Sequence, residues 1–448
     1  MIGGYSDTIY ALASGAGRAA LSVLRVSGSG SAAALTALAG PMPPARRASL
    51  RLLRDAKGET LDQALVIWFL APSSYTGEDC FELHLHGGQA VLADVTEALS
   101  ALGLRPAEPG EFTRRAVMHG RMDLLTAEAV ADVIDAETAL QRRQALSQLT
   151  GAASALYAEW SDRLLRQLAQ QEALIDFPDE ALPPDVEQAL LDGIAELAGI
   201  FEIHLADAPR GERLRSGLVC AIVGPTNAGK SSLINALSRR DVAIVSPQAG
   251  TTRDVLEARI EIAGVPVTLL DTAGLRETTD PVEAEGVRRA LARMSKADLI
   301  LSLREATGQP WAGPATVTPP EIGATQTDMT RAAVVLVTTK SDLSIGLNPT
   351  GIAISTLTGA GMADLMACLE REVTGLAGLV ASPVVSRARH RASLTTSAAH
   401  LRAALKAPWA ELRGEELRLA MLALGRVTGA VGVEDILDSV FSQFCIGK

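Results

Sequence analysis

A glycine-rich segment, residues 224–231, has the composition and spacing of a phosphate-binding loop. It reads Gly-Pro-Thr-Asn-Ala-Gly-Lys-Ser, fits G-x-x-x-x-G-K-[ST], and lies between the apolar run Leu218–Val223 and a helical segment. Glycines let backbone N–H groups wrap a phosphate, and the Lys230 ammonium offers a point charge to the β- and γ-phosphate oxygens. The Ser231 hydroxyl is a ligand for Mg²⁺. This strand–loop–helix context predicts a nucleotide site rather than an ordinary glycine-rich turn.

Two further segments follow in the order that a GTPase requires. Asp271-Thr-Ala-Gly274 closes the apolar run Val265–Leu270, so Asp271 is expected to act on Mg²⁺ through water and the Gly274 N–H to lie near the γ-phosphate. The segment Gly250-Thr-Thr-Arg-Asp254 lies where a switch loop with a Mg²⁺-binding threonine is expected.

A second pair of segments has the form of a guanine-reading site. Thr339-Lys-Ser-Asp342 follows the apolar run Val334–Val337, and the Asp342 carboxylate can accept both N1–H and N2–H of guanine, a pairing that adenine cannot make. Ser355-Thr-Leu has the form of the loop that closes over the base. Thr339 stands where asparagine is commoner, so nucleotide affinity is expected to differ while guanine selectivity survives.

The residue that orients the attacking water in many GTPases is absent from its usual place. A glutamine commonly follows D-x-x-G, whereas this sequence has Leu275 there. Glu283, twelve residues after Asp271, is the candidate base, acting directly or through a second water. The alternative is that Glu283 closes a capping box, because Asp280-Pro281 has the form of a helix start.

Composition excludes several classes of protein. Of 448 residues, 48% are hydrophobic and 21% charged, a globular balance. The net charge of −11 argues against a general nucleic-acid binder. No apolar run approaches the ~20 residues that span a bilayer, and no secretory signal is evident, which predicts a cytoplasmic protein without a membrane contact. Four cysteines lie far apart, which argues against a disulfide framework and a zinc cage: Cys80, Cys220, Cys368 and Cys445.

Periodicity predicts a multidomain α/β chain in four segments. Residues 1–121 mix short apolar runs with Gly/Pro punctuation and form an α+β domain; 122–215 have helical periodicity; 216–378 alternate strands and helices, which predicts a mostly parallel sheet; and 379–448 are helical again. We interpret the third segment as a G domain inserted into a split helical domain. Predicted strands are Ala20–Val26, Leu65–Phe69, Cys80–Leu85, Leu218–Val223, Leu256–Ile262, Val265–Leu270, Leu299–Leu303 and Val334–Val337.

With these motifs the chain resembles the MnmE (TrmE) family of tRNA-modification GTPases over essentially its full length. The specific motifs lie outside the G domain, since P-loops are widespread. They are Asp7-Thr-Ile9, Leu24-Arg-Val-Ser-Gly28, Ser74-Tyr-Thr-Gly-Glu-Asp79, His86-Gly-Gly88, Pro109-Gly-Glu-Phe-Thr-Arg-Arg115 with Met122-Asp-Leu, and Cys445-Ile-Gly-Lys448.

The resemblance implies an N-terminal folate-binding-like domain that dimerises, and a Ras-like G domain whose hydrolysis of GTP is activated by K⁺. It implies a homodimer that joins the FAD-containing flavoprotein MnmG (GidA) in a heterotetramer. Together they attach aminomethyl or carboxymethylaminomethyl groups to C5 of the wobble uridine of certain tRNAs, with a one-carbon unit from a tetrahydrofolate derivative.

The resemblance also implies ligand sets. Mg²⁺ would be held by Ser231 and Thr252. Asn227 either only shapes the P-loop or joins Ser246, Gln248 and Thr251 in holding K⁺. The catalytic candidates are Glu283, Lys230 and Cys445. The nucleotide and its ions would contact Asn227, Ala228, Gly229, Lys230, Ser231, Ser232, Ser246, Gln248, Thr251, Thr252, Asp271, Thr272, Ala273, Gly274, Thr339, Lys340, Asp342 and Ser355.

The folate contacts implied by the resemblance are Arg25, Glu82, Arg121 and Lys448. Cations suit the folate carboxylates, and a carboxylate suits the donor edge of the pterin. The alternative is that all four are ordinary surface charges in ion pairs. Arg121 stands where the family pattern has lysine, which keeps the charge but changes the geometry. Cys445 is either catalytic or a structural contact.

Two other functions stay open at this point. One is a regulatory or ribosome-assembly GTPase without modification chemistry, which the acidic chain and the absence of a basic C-terminal module disfavour. The other is a degenerate scaffold without GTP turnover, raised by Thr339 and by the unusual Leu303-Arg-Glu segment.

Overall fold

The computed structural model describes residues 7–176, 184–225, 227–239, 257–271, 297–306, 332–343, 351–378 and 385–430, with five positions near the C-terminus (437, 440, 441, 444 and 447). Two compact units emerge from its contacts. The first comprises Met1–Ala131, Gln148–Leu182 and Lys406–Lys448; the second comprises Asp132–Ser147 and Pro183–Leu405. The four segment boundaries given above stay a prediction.

The N-terminal part of the first unit is built on a six-stranded sheet of order β3-β4-β5-β2-β1-β6. Its pairs are antiparallel except β1 with β6. This confirms the predicted α+β fold. The strands are β1 (Ile9–Leu12), β2 (Leu21–Ser27), β3 (Ser49–Arg54), β4 (Thr60–Phe69), β5 (Cys80–His86) and β6 (Arg105–Pro106), and the helices are α1 (Ser31–Ala39), α2 (Gln89–Ala101) and α3 (Glu111–Met118).

The two faces of this sheet differ because side chains alternate along each strand. One face buries Val66 and Trp68 of β4 and Phe81 and Leu83 of β5 in a core that α1 and α2 complete. The other face carries four leucines that are 44–61% exposed: Leu21, Leu50, Leu52 and Leu65.

The predicted helical periodicity is confirmed by α4 (Leu124–Asp135), α5 (Ala139–Leu149), α6 (Ala152–Asp176), α7 (Pro184–Ala206) and α8 (Ala208–Ser216). On α6, Ala153, Tyr157, Trp160 and Leu164 are buried at steps of three and four residues. Within the segment predicted as helical, α5 and α6 are separated at Gly151, whose φ of +87° favours glycine.

The second unit contains a six-stranded sheet of order β12-β11-β10-β7-β9-β8. Only β8 and β9 pair antiparallel, so the predicted mostly parallel sheet is confirmed. The strands are β7 (Leu218–Val223), β8 (Glu257–Ile262), β9 (Val265–Asp271), β10 (Leu299–Glu305), β11 (Ala333–Thr339) and β12 (Ile352–Ala353), with helices α9 (Lys230–Ser238) and α10 (Met362–Ala377).

Two further helices follow, α11 (Ala388–Lys406) and α12 (Ala410–Thr428). α12 packs against α6 within the first unit, where the Gln171 side-chain amide donates to the Ala410 carbonyl at 3.0 Å. Among the described helices, none has the length and apolar character needed to cross a membrane.

Candidate functional site

The P-loop follows β7 and turns directly into α9. Gly224 has φ of +154°, and a Cβ there would lie 2.5 Å from the Leu303 carbonyl oxygen on β10, so only glycine fits. Asn227 and Gly229 have left-handed φ values of +67° and +84°. Asparagine tolerates this conformation better than most residues, so Asn227 shapes the loop. The turn brings backbone N–H groups of the loop to the start of α9, an arrangement that suits a phosphate.

Lys230 and Ser231 begin α9; the lysine bonds back to the loop and the serine bonds to the end of β9. The Lys230 ammonium is buried and donates to the carbonyl oxygens of Gly224 at 2.7 Å and Pro225 at 2.9 Å. The Ser231 hydroxyl donates to Asp271 Oδ2 at 2.7 Å. A hydroxyl and a carboxylate oxygen therefore lie together beside the loop, and these hard donors are the type that Mg²⁺ prefers.

Thr339 joins the guanine-reading segment to the P-loop. Its side chain is buried, and its hydroxyl lies 2.8 Å from the Ala228 carbonyl oxygen and 3.0 Å from the Arg304 carbonyl oxygen, either of which can accept its proton. The threonine thus replaces the commoner asparagine with a shorter side chain that still bonds to the loop.

The next residues present the acidic side chain that the sequence assigns to guanine. Lys340 has a left-handed φ of +55°, after which residues 341–343 form a single 3₁₀ turn that leaves Asp342 exposed. The Ser341 N–H donates to the Ile354 carbonyl at 3.1 Å, which ties this turn to the following loop. In that loop the buried Ser355 hydroxyl accepts the Thr358 N–H at 3.2 Å.

Arg25 and Glu82, two of the four predicted folate contacts, are brought together in the first unit. They face each other across β2 and β5, and Arg25 donates from Nε and Nη2 to Glu82 Oε1 at 3.0 and 2.9 Å. The guanidinium also lies 5.0 Å from the Tyr75 ring centre and 5.8 Å from that of Phe112. A cation and an anion thus share a partly buried site, with two aromatic rings beside the guanidinium.

The third predicted contact, Arg121, lies against Gly77. A Cβ at Gly77 would be 3.2 and 3.3 Å from Arg121 Cγ and Cδ, so glycine there makes room for the arginine stem. Outside the described residues lie Lys448 and Cys445, the switch-loop candidates Ser246, Gln248, Thr251 and Thr252, the segment Thr272, Ala273 and Gly274, and Glu283.

Two protein-family models together match nearly the whole chain. A model of the "MnmE helical domain" matches residues 124–445, and a model of the "GTP-binding protein TrmE N-terminus" matches residues 8–121. The "tRNA modification GTPase MnmE" of Gluconacetobacter diazotrophicus is 55% identical over 445 residues, covering 98% of both chains. That of Granulibacter bethesdensis is 52% identical, covering 99% of both.

The chain belongs to the tRNA modification GTPase MnmE family. The family predicted from the motifs is therefore confirmed. Among solved structures, Aquifex aeolicus Era bound to GDP and AlF4⁻ is similar at 28% identity and a TM-score of 0.24, covering 34% of this chain and 56% of that chain.

In this MnmE-family chain, sequence reasoning missed an ion network that is centred on the buried side chain of Arg115, next to the Arg25 site. The Arg115 side chain is fully buried; its Nη2 donates to Asp7 Oδ1 at 2.8 Å and to Glu111 Oε1 at 2.9 Å. Its Nη1 donates to the Asp7 carbonyl oxygen at 3.0 Å and lies 3.3 Å from Glu78 Oε2. Arg105 forms a two-pronged pair with Glu111 and donates to Asp7 at 2.6 Å.

The network explains three motifs that the sequence offered only as family signatures. Asp7, Glu78 and Arg115 come from three separate segments, residues 7–9, 74–79 and 109–115, so the ion pairs hold these segments together. α3 carries Glu111 and Arg115 on one side and presents Phe112 to the Arg25 guanidinium, while the Tyr75 hydroxyl lies 2.8 Å from Thr113 Oγ1. The network therefore fixes the aromatic walls of the Arg25 site.

Charge pairing decides the protonation of the network's acids. Burial alone would raise the pKa of Glu111, but hydrogen bonds from Arg105, the Glu108 N–H and Arg115 outweigh it and hold that pKa below 4.5. Burial alone would also raise the pKa of Asp7, but the hydrogen bonds and charges of Arg105 and Arg115 outweigh it and hold that pKa below 3.8. Both groups stay ionised at neutral pH and keep the arginines paired.

Replacing Thr339 by valine should weaken nucleotide binding because it removes the hydroxyl and leaves the Ala228 carbonyl without that donor. A hydrogen bond of this kind contributes about 1 kcal/mol, so we expect a roughly fivefold rise in the Kd for GDP, measured by calorimetry on the full chain. Thr339→Ser keeps the hydroxyl and is the matched control. Equal Kd values for the wild type and Thr339→Val would contradict the bridging role.

Replacing Glu111 by glutamine should lower the free energy of unfolding at neutral pH by about 2 kcal/mol or more, because buried Arg115 loses one of its charged partners. The stabilisation by Glu111 is fully present above its unfolded-state pKa and is lost as the pH falls through the lower folded-state pKa. The difference in the free energy of unfolding between wild type and Glu111→Gln should therefore be constant from pH 6 to 8 and shrink below about pH 4.5.

Urea unfolding of the full chain measures this difference in the free energy of unfolding, and hydrogen exchange in β1 and α3 is the local probe. Glu97→Gln, an exposed change on α2, is the matched control and should have little effect. A difference that did not depend on pH would contradict the ion-pair account.

Proposed function

We propose that this chain is a K⁺-activated GTPase that acts with the flavoprotein MnmG on the wobble uridine of certain tRNAs. The product would be an aminomethyl or carboxymethylaminomethyl group at C5, with the carbon supplied by a tetrahydrofolate derivative and FAD supplied by the partner. The observation that carries the proposal is family membership over both the N-terminal and helical parts, not over a G domain alone.

The described nucleotide site supports the GTPase part. Lys230 is the cation for the β- and γ-phosphate oxygens, and α9 directs N–H groups of its first turn to the same place. Ser231, with Thr252, would ligate Mg²⁺, and Asp271 would act through water. When bound, Mg²⁺ supplies positive charge that offsets the charge developing on the phosphates. Asp342 would accept both N–H groups of guanine.

Hydrolysis needs a group that orients water, and Leu275 cannot do so. We assign this role to Glu283, and the K⁺ site to Asn227, Ser246, Gln248 and Thr251, on the family resemblance. Equal GTP turnover in K⁺ and Na⁺ would contradict the K⁺ site. GTP turnover that Glu283→Ala leaves unchanged would contradict the catalytic role of Glu283 and favour its role in helix capping.

The first unit supports a folate site at Arg25. The guanidinium suits a folate carboxylate, while Glu82 Oε2, which the Arg25 hydrogen bonds do not use, suits donors on the pterin edge. Tyr75 and Phe112 offer flat apolar surfaces for an aromatic ring. Arg121, Lys448 and Cys445 are assigned to this site by the resemblance, with Cys445 either catalytic or structural.

The exposed face of the N-terminal sheet supports the homodimer. Leu50 pairs with Leu65, Leu65 with His84, and His84 with Val23 across four strands, so these side chains form one continuous row. Three of the four positions in this row are apolar, and an exposed row of this kind supports an association surface. A full chain that sedimented as a monomer at micromolar concentration would contradict this part.

Replacing Arg25 by methionine should weaken binding of 5-formyltetrahydrofolate, a stable reduced folate, by at least tenfold. A charge-assisted hydrogen bond contributes about 1.5–3 kcal/mol, which corresponds to this loss. Calorimetry on the full chain measures it, and Arg47→Met, at an exposed arginine, is the control. Equal affinity of wild type and Arg25→Met for 5-formyltetrahydrofolate would contradict the assignment of Arg25 to the folate site.

The function itself is tested by mass spectrometry of tRNA nucleosides from cells that lack this gene. We expect the aminomethyl-type wobble uridines to disappear, to return with the wild-type gene, and to stay absent with Lys230→Ala, because the phosphate-binding cation is lost. Lys57→Ala, an exposed change in the β3–β4 turn, should restore them. Unchanged nucleosides in the deletion strain would favour the regulatory or assembly GTPase.

A further inference from the structure

The ends of β10 and β11 bring an acidic and a basic side chain together beside the guanine-reading turn. Glu305, the last residue of β10, is level with Thr339 in the parallel register, so it lies next to the residue that precedes Lys340. The Lys340 ammonium donates to Glu305 Oε1 at 2.8 Å, with the two side chains 36% and 29% exposed. Glu305 belongs to the unusual Leu303-Arg-Glu segment, to which the GTPase motifs assign no role.

The backbone at Lys340 needs support from its surroundings. Its φ of +55° costs an ordinary L-residue about 1–2 kcal/mol, because Cβ approaches the following carbonyl oxygen. Backbone bonds hold both sides of this position: the Ala306 N–H donates to the Thr339 carbonyl at 2.9 Å, and the Leu343 N–H donates to the Lys340 carbonyl at 3.0 Å. This conformation turns the chain so that Asp342 comes two residues later on an exposed turn.

We propose that Glu305 is a positioning residue for guanine recognition, acting through Lys340. Its carboxylate holds the Lys340 ammonium, fixes the direction of the four-carbon lysine stem, and helps keep the turn that carries Asp342 in its binding conformation. The inference rests on the assignment of Asp342 to guanine made above.

The physical reason is pre-organisation. A free lysine side chain has about 2 kcal/mol of rotamer entropy to lose when it is ordered, and a tether at its far end removes part of that loss before the nucleotide binds. The stem of a tethered lysine is an apolar strip that complements the flat face of a purine. Glu305 would therefore act equally on GDP and GTP, because it supports the base side of the site and not the phosphate side.

The alternative is a plain surface ion pair that affects only stability, by about 0–1 kcal/mol. The two accounts differ in what Glu305→Gln changes. A structural pair would alter the unfolding midpoint and leave nucleotide affinity alone. A positioning pair would alter affinity in proportion for both nucleotides, and the effect would require the lysine ammonium.

The test uses the full chain and a double-mutant cycle. Calorimetry gives the Kd for GDP and for GTPγS with wild type, Glu305→Gln, Lys340→Met and the double variant; methionine keeps an apolar stem without the charge. We expect Glu305→Gln to raise both Kd values about three- to tenfold and to raise the KM for GTP by the same factor while kcat falls less than twofold. In the Lys340→Met background, Glu305→Gln should add less than a 1.5-fold change. Glu370→Gln, an exposed change on α10, is the matched control.

Two results would overturn the proposal: unchanged Kd values in Glu305→Gln, or an equal loss with and without the Lys340 ammonium. The variant Asp342→Asn tests separately whether Asp342 reads guanine. Its side-chain amide can donate to the C2 carbonyl of xanthine, whereas the Asp342 carboxylate accepts from the C2 amine of guanine. If Asp342→Asn moves preference from GDP to xanthosine diphosphate while Glu305→Gln changes nothing, only the Glu305 inference fails. If Asp342→Asn leaves GDP binding intact, the base assignment fails. Thermal unfolding of each variant checks that it is folded.

Discussion

Parallel pairing of β9, β7, β10 and β11 is the constraint on which the nucleotide site depends. Parallel strands place their carboxyl ends at the same edge of a sheet, and a ligand site forms in the crevice there. The P-loop after β7, Asp271 at the end of β9, Glu305 at the end of β10 and Thr339 at the end of β11 meet at that edge. Sequence segments more than one hundred residues apart thereby become neighbours.

Hydrogen bonds between loops then convert this neighbourhood into a defined geometry. Thr339 joins the base-reading segment to the P-loop through Ala228, and Ser231 joins the P-loop to Asp271. The first unit uses the same principle with stronger groups, since Arg115 joins three segments and fixes the aromatic walls around Arg25. In both places a buried polar group stabilises a loop because its partners lie on other segments, and each partner removed leaves a desolvated group behind.

The sequence predicted those features whose signal is local. β7 was predicted with the bounds that the structure has, because a continuous apolar run followed by a glycine-rich loop is typical of a buried parallel strand. β3 was not predicted, because the alternation in Ser-Leu-Arg-Leu-Leu-Arg breaks at Leu52-Leu53: Leu50 and Leu52 are exposed, Leu53 is buried on the opposite face, and the pairing with β4 shifts register beside Leu53. The ion network was also missed, since Asp7 and Arg115 are separated by more than one hundred residues and no spacing rule connects them. Arg25 with Glu82, in contrast, was predicted as a site only through the family resemblance.

The central claim is that one edge of the parallel sheet binds a guanine nucleotide and selects it by its base. The most direct measurement is calorimetric titration of the nucleotide-free full chain with GDP and with ADP, at equal Mg²⁺ and K⁺ concentrations. Because adenine cannot donate two hydrogen bonds to the Asp342 carboxylate, we predict one GDP per chain and an affinity at least one hundredfold higher than that for ADP, about 2.7 kcal/mol or more. Equal affinities would contradict the account, because the phosphate loop alone would then explain binding.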